Sequence, residues 1–485
     1  MVSKQAATIE MADMTATDSL AVDTTTATAT TENPAAVDAE GKKPKALSKA
    51  VLKRFAINVA SLFSVHAANM LLPLLTVPYV VRIIGPERLG LLNFSQAYVA
   101  YFTLLINYGF DTAAVRSIAA DRTNKALINR IFSEVIVGKA LLWVLSTVIF
   151  SIVSFSVPEF KEHLVLHICT YLSCVGVVLF PVWLYQAMED LGRVAVFNLV
   201  VKILFTLTVF VVIRQPNDYV YQNLSLSLAQ VLISVVAFRT AIRRFDLTLS
   251  WPALSSLAER FRDNRILFFT SVVATIYAGS NIFLLGLFST AFSVGIFSAG
   301  TRIVGIVQAF VSLALNQAFF PIVASAFGQG REKGLRVVQT VFFPVTVLML
   351  LLSAAIWLIA PYFIQLFYGA KFQEAILVLR IVALLPITLG LNNLLGVHTM
   401  LSLKMDKPFF RITAAGSVIS LSLNALLIQR YSHVGVACSW VITEAFVTLG
   451  FYFYLRYKGV QIIQLKYIQE AVSFTKNRIA ILFKF

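Results

Sequence analysis

From Phe55 to Tyr457 the chain is divided into apolar runs close to the length of a membrane crossing, and this pattern leaves few folds open. A helix rises about 1.5 Å per residue, so about 20 apolar residues span the hydrocarbon of a bilayer. Inside it, every backbone polar group must find its partner within the element, which restricts spanning structures to helices and closed barrels. The spacing predicts helices at about 55–81, 89–108, 134–157, 163–186, 194–213, 220–242, 267–289, 294–322, 337–360, 374–401, 409–429 and 433–456, or about twelve spans. Charged residues make up 13% of the chain, against about 25% in an ordinary soluble domain. An all-α integral membrane protein is expected.

The formal net charge of +16 does not point to nucleic acid, because the basic residues lie in short intervals between spans rather than on one continuous face. Their distribution instead gives an orientation. One set holds Lys42, Lys43, Lys45, Lys49, Lys53, Arg54, Arg116, Arg122, Lys125 and Arg130. It continues through Arg193, the cluster from Arg239 to Arg265, then Arg331, Lys333, Arg336, Lys404, Lys407, Arg411 and the basic tail. The other set is only Arg82, Arg88, Lys161, Arg214, Lys371 and Arg430. Positive charge gathers on the cytoplasmic side, so both termini are expected in the cytoplasm of a multi-pass inner-membrane protein.

The second half echoes the first. A shift of about 205 residues lays Leu89-Gly90-Leu91-Leu92 over Val294-Gly295-Ile296-Phe297, and Ile118-Ala119-Ala120 over Val323-Ala324-Ser325. A looser match pairs the polar turn 186–193 with 400–407. Internal repeats are common in transporters, with the substrate site at their interface. Six spans per half is an even number, so the halves share one orientation and their pseudo-two-fold axis runs along the membrane normal. The expected organisation is a disordered cytoplasmic tail over 1–50, an N-lobe over 51–242 and an interlobe linker over 243–266. A C-lobe over 267–456 and a basic amphipathic cytoplasmic tail over 457–485 complete it.

Several chemistries find no support. Residues 1–46 lack the apolar core of a cleavable signal peptide. Cys169, Cys174 and Cys438 fall within apolar runs and read as small core hydrophobes. There is no phosphate-binding loop for an ATP-driven pump. His163 and His167 stand one helical turn apart, but no third zinc ligand is obvious. Intervals on the outer side are a few residues to about a dozen, too short for a catalytic domain. No cofactor or metal is expected, apart from coupling to a proton or sodium gradient.

Basic residues inside the spans carry the functional signal. Lys139, Lys202, Arg302 and Arg380 interrupt otherwise apolar runs. A cation near the bilayer centre costs roughly 2.5–3.5 kcal/mol on insertion scales, so such residues face a bundle interior or a watery cavity. A cationic cavity implies an anionic passenger. Arg302 either lines that cavity or joins a structural ion pair. Lys139 and Lys202, near helix ends, either line it or snorkel to headgroups, and Arg380 and Arg82 have the same two readings at the other end. Glu444, the acid deep in the last span, is either a proton-carrying group or an ion-pair partner. Asn69, Gln96, Asn107, Asn198, Gln308, Asn316, Gln317, Asn392, Asn393 and Asn424 offer hydrogen bonds to a hydroxylated cargo, or hold helices together.

The run Leu74 to Tyr98 contains Pro78, Arg82, Gly85-Pro86 and Gly90, and is followed by Asn107-Tyr108-Gly109-Phe110. It resembles the opening of bacterial polysaccharide flippases, the O-antigen translocases of the multidrug/oligosaccharidyl-lipid/polysaccharide exporter superfamily. Tyr185-Gln186-Ala187-Met188-Glu189, Ser298-Ala299-Gly300-Thr301-Arg302-Ile303 and Pro321 are similar to further motifs of that family. Asp111 departs from it, falling after Gly109 where relatives often place an acid before, and is read here as a helix cap. The resemblance implies two six-helix lobes around a central cavity and an undecaprenyl-pyrophosphate-linked oligosaccharide as cargo. It implies a non-enzymatic, monomeric transporter, with membrane lipids, a polysaccharide polymerase and a chain-length regulator as further partners. A cation-coupled drug exporter of the same superfamily and a membrane-embedded polysaccharide polymerase or glycosyltransferase are the competing readings.

Overall fold

The computed structural model describes residues 49–462 apart from 314 and 316–318, and for 49–75, 277, 278 and 313 it describes the backbone alone. Nearly all of the expected tail over 1–50, most of the tail over 457–485, the Asn69 side chain, Asn316 and Gln317 thus lie outside the described residues. The chain divides at Ile57, and every contact below lies within the unit Asn58–Phe485.

Among the described residues there is helix and no strand. Helix α1, Lys49–Asn107, is one hydrogen-bonded run broken at Gly85, whose φ of 77° and ψ of 176° only glycine adopts readily. This break falls where Gly85-Pro86 predicts a turn. Helix α2, Phe110–Ala120, starts after Gly109 in the left-handed region, and α3, Lys125–Ser156, is capped by Asn124, whose side chain accepts from the Leu127 N–H at 3.0 Å. After the short α4, Pro158–Glu162, the fourth apolar run is three pieces: α5, Leu164–Tyr171, α6, Ser173–Leu179, and α7, Val182–Ala187. Pro181 has no N–H to continue the ladder and accounts for the second break. Helices α8, Leu191–Val212, and α9, Val220–Phe245, end the first half of the chain.

The second half begins with α10, Leu254–Phe288, bent by 60° between Leu254–Ile276 and Gly279–Phe288. Helices α11, Ala291–Leu313, α12, Phe320–Gly328, and α13, Arg331–Phe367, follow. The tenth apolar run is α14, Ala375–Val382, α15, Leu385–Asn392, and a π-helical turn Asn393–Met400. Helix α16, Asp406–Tyr457, is broken at Ser432, with φ 48° and ψ −126°, where the sequence predicts the last outer turn. Nine helical runs among the described residues are long and apolar enough to cross a membrane, or ten with the bent α10.

Ion pairs gather three turns at one end of the molecule. Arg122 meets Glu189 at 2.7 Å, Lys125 meets Asp246 at 2.8 Å, and Arg244 meets Asp190 at 2.8 Å. The turns 121–125, 187–193 and 244–250 therefore lie together at one end, where Arg193, Arg239 and Arg243 add positive charge. Core packing is aromatic and aliphatic, with Phe110, Phe132, Trp183 and Tyr185 fully buried near this end.

Candidate functional site

Lys202 on α8 and Arg302 on α11 belong to different halves of the chain, yet they lie close enough for their charges to act on each other. Lys202 is half-buried and Arg302 is exposed. A like charge nearby adds to the cost of holding a cation between apolar helices. Arg302 also acts electrostatically on the buried Tyr368 at the end of α13. The small residues of Ser298-Ala299-Gly300 let α11 approach α14, since a methyl on Gly300 would stand 2.7 Å from Val378.

The other sequence candidates have different surroundings. Lys139 is 1% exposed, and its Nζ lies 2.6 Å from Asp111 Oδ1. Asp111 sits in the first turn of α2 and makes no capping bond from its side chain, so its reading as a cap gives way to that of a counter-ion. Arg82 is exposed and donates to the Leu366 carbonyl at the end of α13, a bond between the two halves. Arg380 lies 4.8 Å from the centre of the Trp357 ring, a cation–π contact. The structure thus gives Lys139, Arg82 and Arg380 a partner each, in separate places.

Glu444 is buried on α16. Asn392 Nδ2 donates to its Oε2 at 2.7 Å, and Thr448 Oγ1 donates to Asn392 Oδ1 at 2.7 Å. This chain borders a cavity of about 160 Å³, whose polar lining is Gln308, Asn392, Asn393, Thr413 and Glu444 and whose apolar lining includes Phe409 and Phe451. Carboxylate, amide and hydroxyl groups beside aromatic faces suit a neutral, hydroxyl-rich ligand.

Three polar arrangements were not visible in sequence. Glu134 on α3, 3% exposed, accepts from Arg260 Nε at 2.9 Å and Nη2 at 2.5 Å, which binds the start of α10 to the first half. An acid inside the third apolar run was the available signal, but nothing named its partner. His167, 1% exposed, bonds through Nδ1 to Ser95 Oγ at 3.0 Å amid Phe94, Tyr98 and Phe160. Thr170 and Asn223 extend this network, and Gln96 donates to Asn223 at 2.8 Å, so Gln96 acts as interhelical glue. Asn424 likewise donates to Asn281 at 2.9 Å. Among the described residues no group of three His, Cys, Asp or Glu side chains could hold a metal ion.

Residues 55–327, more than half of the chain, match the family model described as polysaccharide biosynthesis protein. The chain belongs to the polysaccharide biosynthesis protein family. Within it, a curated relative named putative O-antigen transporter from Escherichia coli is 27% identical over 391 residues, covering 81% of this chain and 94% of the relative. A second of that name, from Shigella dysenteriae, is 25% identical over 411 residues and covers 81% and 98%. Among solved structures, the lipid II flippase MurJ in an inward closed conformation aligns with a TM-score of 0.65 at 14% identity, covering 87% of this chain and 93% of its own. An inward-facing multidrug resistance MATE family transporter aligns at 0.62 with 16% identity, covering 81% and 95%. This member of the polysaccharide biosynthesis family thus shares the fold of these two structures.

Proposed function

We propose that the chain is a flippase that moves an undecaprenyl-pyrophosphate-linked oligosaccharide repeat unit across the bacterial inner membrane for O-antigen or related surface polysaccharide. The observation that carries the reading is the match over 81% of the chain to curated relatives named putative O-antigen transporter, and the basic residues Lys202 and Arg302 within apolar helices of the two halves fit an anionic cargo. A pyrophosphate offers several charged oxygens, and the planar guanidinium of Arg302 matches them with paired hydrogen bonds while Lys202 supplies a second charge. The amide-lined cavity beside Glu444 provides for sugar hydroxyls, and the lipid tail stays in the bilayer. Relatives named as O-antigen transporters support this over an enzyme.

In this reading Gly85 and Ser432 each separate two crossings, giving twelve in two six-helix lobes with both termini cytoplasmic. Cargo moves by alternating access as the lobes rock about the site, driven by an ion gradient or by removal of product outside. Lys139, Arg82 and Arg380 contribute to the passage only in states where their present partners are released. A cation-coupled drug exporter is disfavoured by charge sign, since a cationic drug would be repelled by Lys202 and Arg302.

The test is complementation of a strain lacking the gene. R302A and K202A should each lower surface polysaccharide by about 10–150-fold, as expected for loss of a charged hydrogen bond worth roughly 1.5–3 kcal/mol, with unchanged protein in the membrane. R302K should retain part of the activity. Normal polysaccharide in R302A would remove Arg302 from the cargo path.

A further inference from the structure

We propose that the groove between α8 and α9 at the basic end of the molecule binds one anionic glycerophospholipid of the surrounding bilayer. A cavity of about 300 Å³ opens there, lined by Gly192, Arg193, Val196 and Phe197 of α8 and Thr240 of α9. Gly192 with Val196, and Arg193 with Phe197, are four residues apart, so these side chains stack in two rows on adjoining faces of α8. Nothing lies within 4 Å of the place a methyl on Gly192 would occupy, so the groove is open at its end. Only 11% of the apolar window of α8 is covered by protein, and Val196 is 49% exposed. In a bilayer acyl chains cover such a face.

The charge at the groove's lip selects the headgroup. Arg193 and Arg244 both lie 2.8 Å from Asp190 Oδ2, so two guanidiniums share one carboxylate and leave one net positive charge with several unused N–H donors. Arg239 and Arg243, both exposed on the last turns of α9, add to the same sign. A basic groove between helices at the level of the headgroups favours anionic over zwitterionic lipid, by about 1 kcal/mol, or about fivefold, per arginine. Thr240 lines the same groove with its hydroxyl donated to the Val236 carbonyl at 2.7 Å, so the donors to a phosphate are the guanidiniums.

This groove is separate from the cargo path. Arg193 and Lys202 are nine residues apart on α8, and at about 100° per residue they point to roughly opposite sides of the helix. The lipid would act as a fixed buttress on the outer face of α8 while Lys202 faces the other half of the protein.

The test uses the full chain purified in detergent, with native mass spectrometry of lipid adducts. Phosphatidylglycerol should be retained at least about fivefold better than phosphatidylcholine with the same acyl chains. R193Q should lose this preference and keep a residual, headgroup-blind binding. G192L, which fills the groove without changing charge, should lose both lipids while unfolding at the parent temperature. Equal retention of the two lipids by the parent, or an undiminished preference in R193Q, would overturn the proposal even if G192L failed to fold. Displacement of phosphatidylglycerol by undecaprenyl pyrophosphate would also overturn it, by assigning the groove to the cargo.

Discussion

Gly90 and Gly295 lie against each other across the two halves of the chain, with no room for a methyl group on either. A Cβ on Gly90 would stand 1.7 Å from the Ala291 carbonyl oxygen and 2.9 Å from the Gly295 nitrogen; one on Gly295 would stand 1.9 Å from the Pro86 carbonyl oxygen. The relationship is reciprocal because these glycines occupy equivalent places in the internal repeat. It joins the end of the molecule where Arg82 reaches the Leu366 carbonyl.

G90A and G295A should therefore disfavour this arrangement relative to one in which these helix ends separate. Overpacking costs about 1–3 kcal/mol, enough to shift a two-state population by roughly 5–150-fold. Labelling of single cysteines placed near residues 88 and 293 should rise in both variants, and transport should fall. Parent-like labelling and transport in both would mean that the contact does not govern the cycle.

Lys139 and Asp111 give a prediction about stability. D111N leaves a cation that is 1% exposed without its charged partner, and breaking a buried pair this way costs about 3–5 kcal/mol, reduced here because Asp111 is 40% exposed on its side chain. Abundance and thermal stability of D111N should drop, and K139M/D111N should recover most of both, because neither residue is then a buried lone charge. A double variant as unstable as D111N would show that the pair is not what stabilises this site.

The Glu134–Arg260 pair predicts a different outcome, because it ties the first turns of the bent α10 to α3. Both side chains are mostly buried, at 4% and 15% exposure. R260M should destabilise by less than the cost of a fully unpaired buried carboxylate, about 3–5 kcal/mol, because Arg130 Nε also lies 3.7 Å from Glu134 Oε1, and R260M/E134L should restore stability. The double variant also frees the start of α10 from the first half, so hydrogen exchange over residues 254–268 should accelerate. Unchanged exchange there would place the anchoring elsewhere, in the Tyr108–Phe268 stack with ring centres 4.6 Å apart.

How much of this was legible in the sequence depends on the range of the interaction. Apolar period and punctuation are local, so the runs, the turn at Gly85-Pro86 and the break near residue 432 were all readable. The repeat of Leu89-Gly90 in Val294-Gly295 was readable too, but not that the two copies touch. Partners were the hidden part. Lys139 and Asp111 are 28 positions apart, and Glu134 and Arg260 are 126 apart. A lone charge in an apolar run signals that some compensation exists, while helix packing alone decides whether it is a counter-ion, a ring or a ligand. The breaks inside the fourth and tenth runs were missed because hydropathy does not register a change of helical pitch, although Pro181 and Pro386 stood in the sequence at the starts of the later pieces.

Glu444 separates hydrogen bonding from charge. Glutamine at this position can still accept from Asn392 Nδ2, so E444Q should preserve the Asn392–Thr448 chain and the fold, whereas E444A should open a void and orphan the Asn392 donor. If the carboxylate carries a proton during the cycle, flipping in proteoliposomes by E444Q should proceed at a basal rate that no longer responds to an imposed pH gradient. The parent should accelerate with the gradient, and E444A should lose both rate and stability. A response to the gradient in E444Q equal to the parent's would exclude Glu444 as the coupling group and leave it the role of a sugar-facing acceptor, which only the loss of rate in E444A would then report.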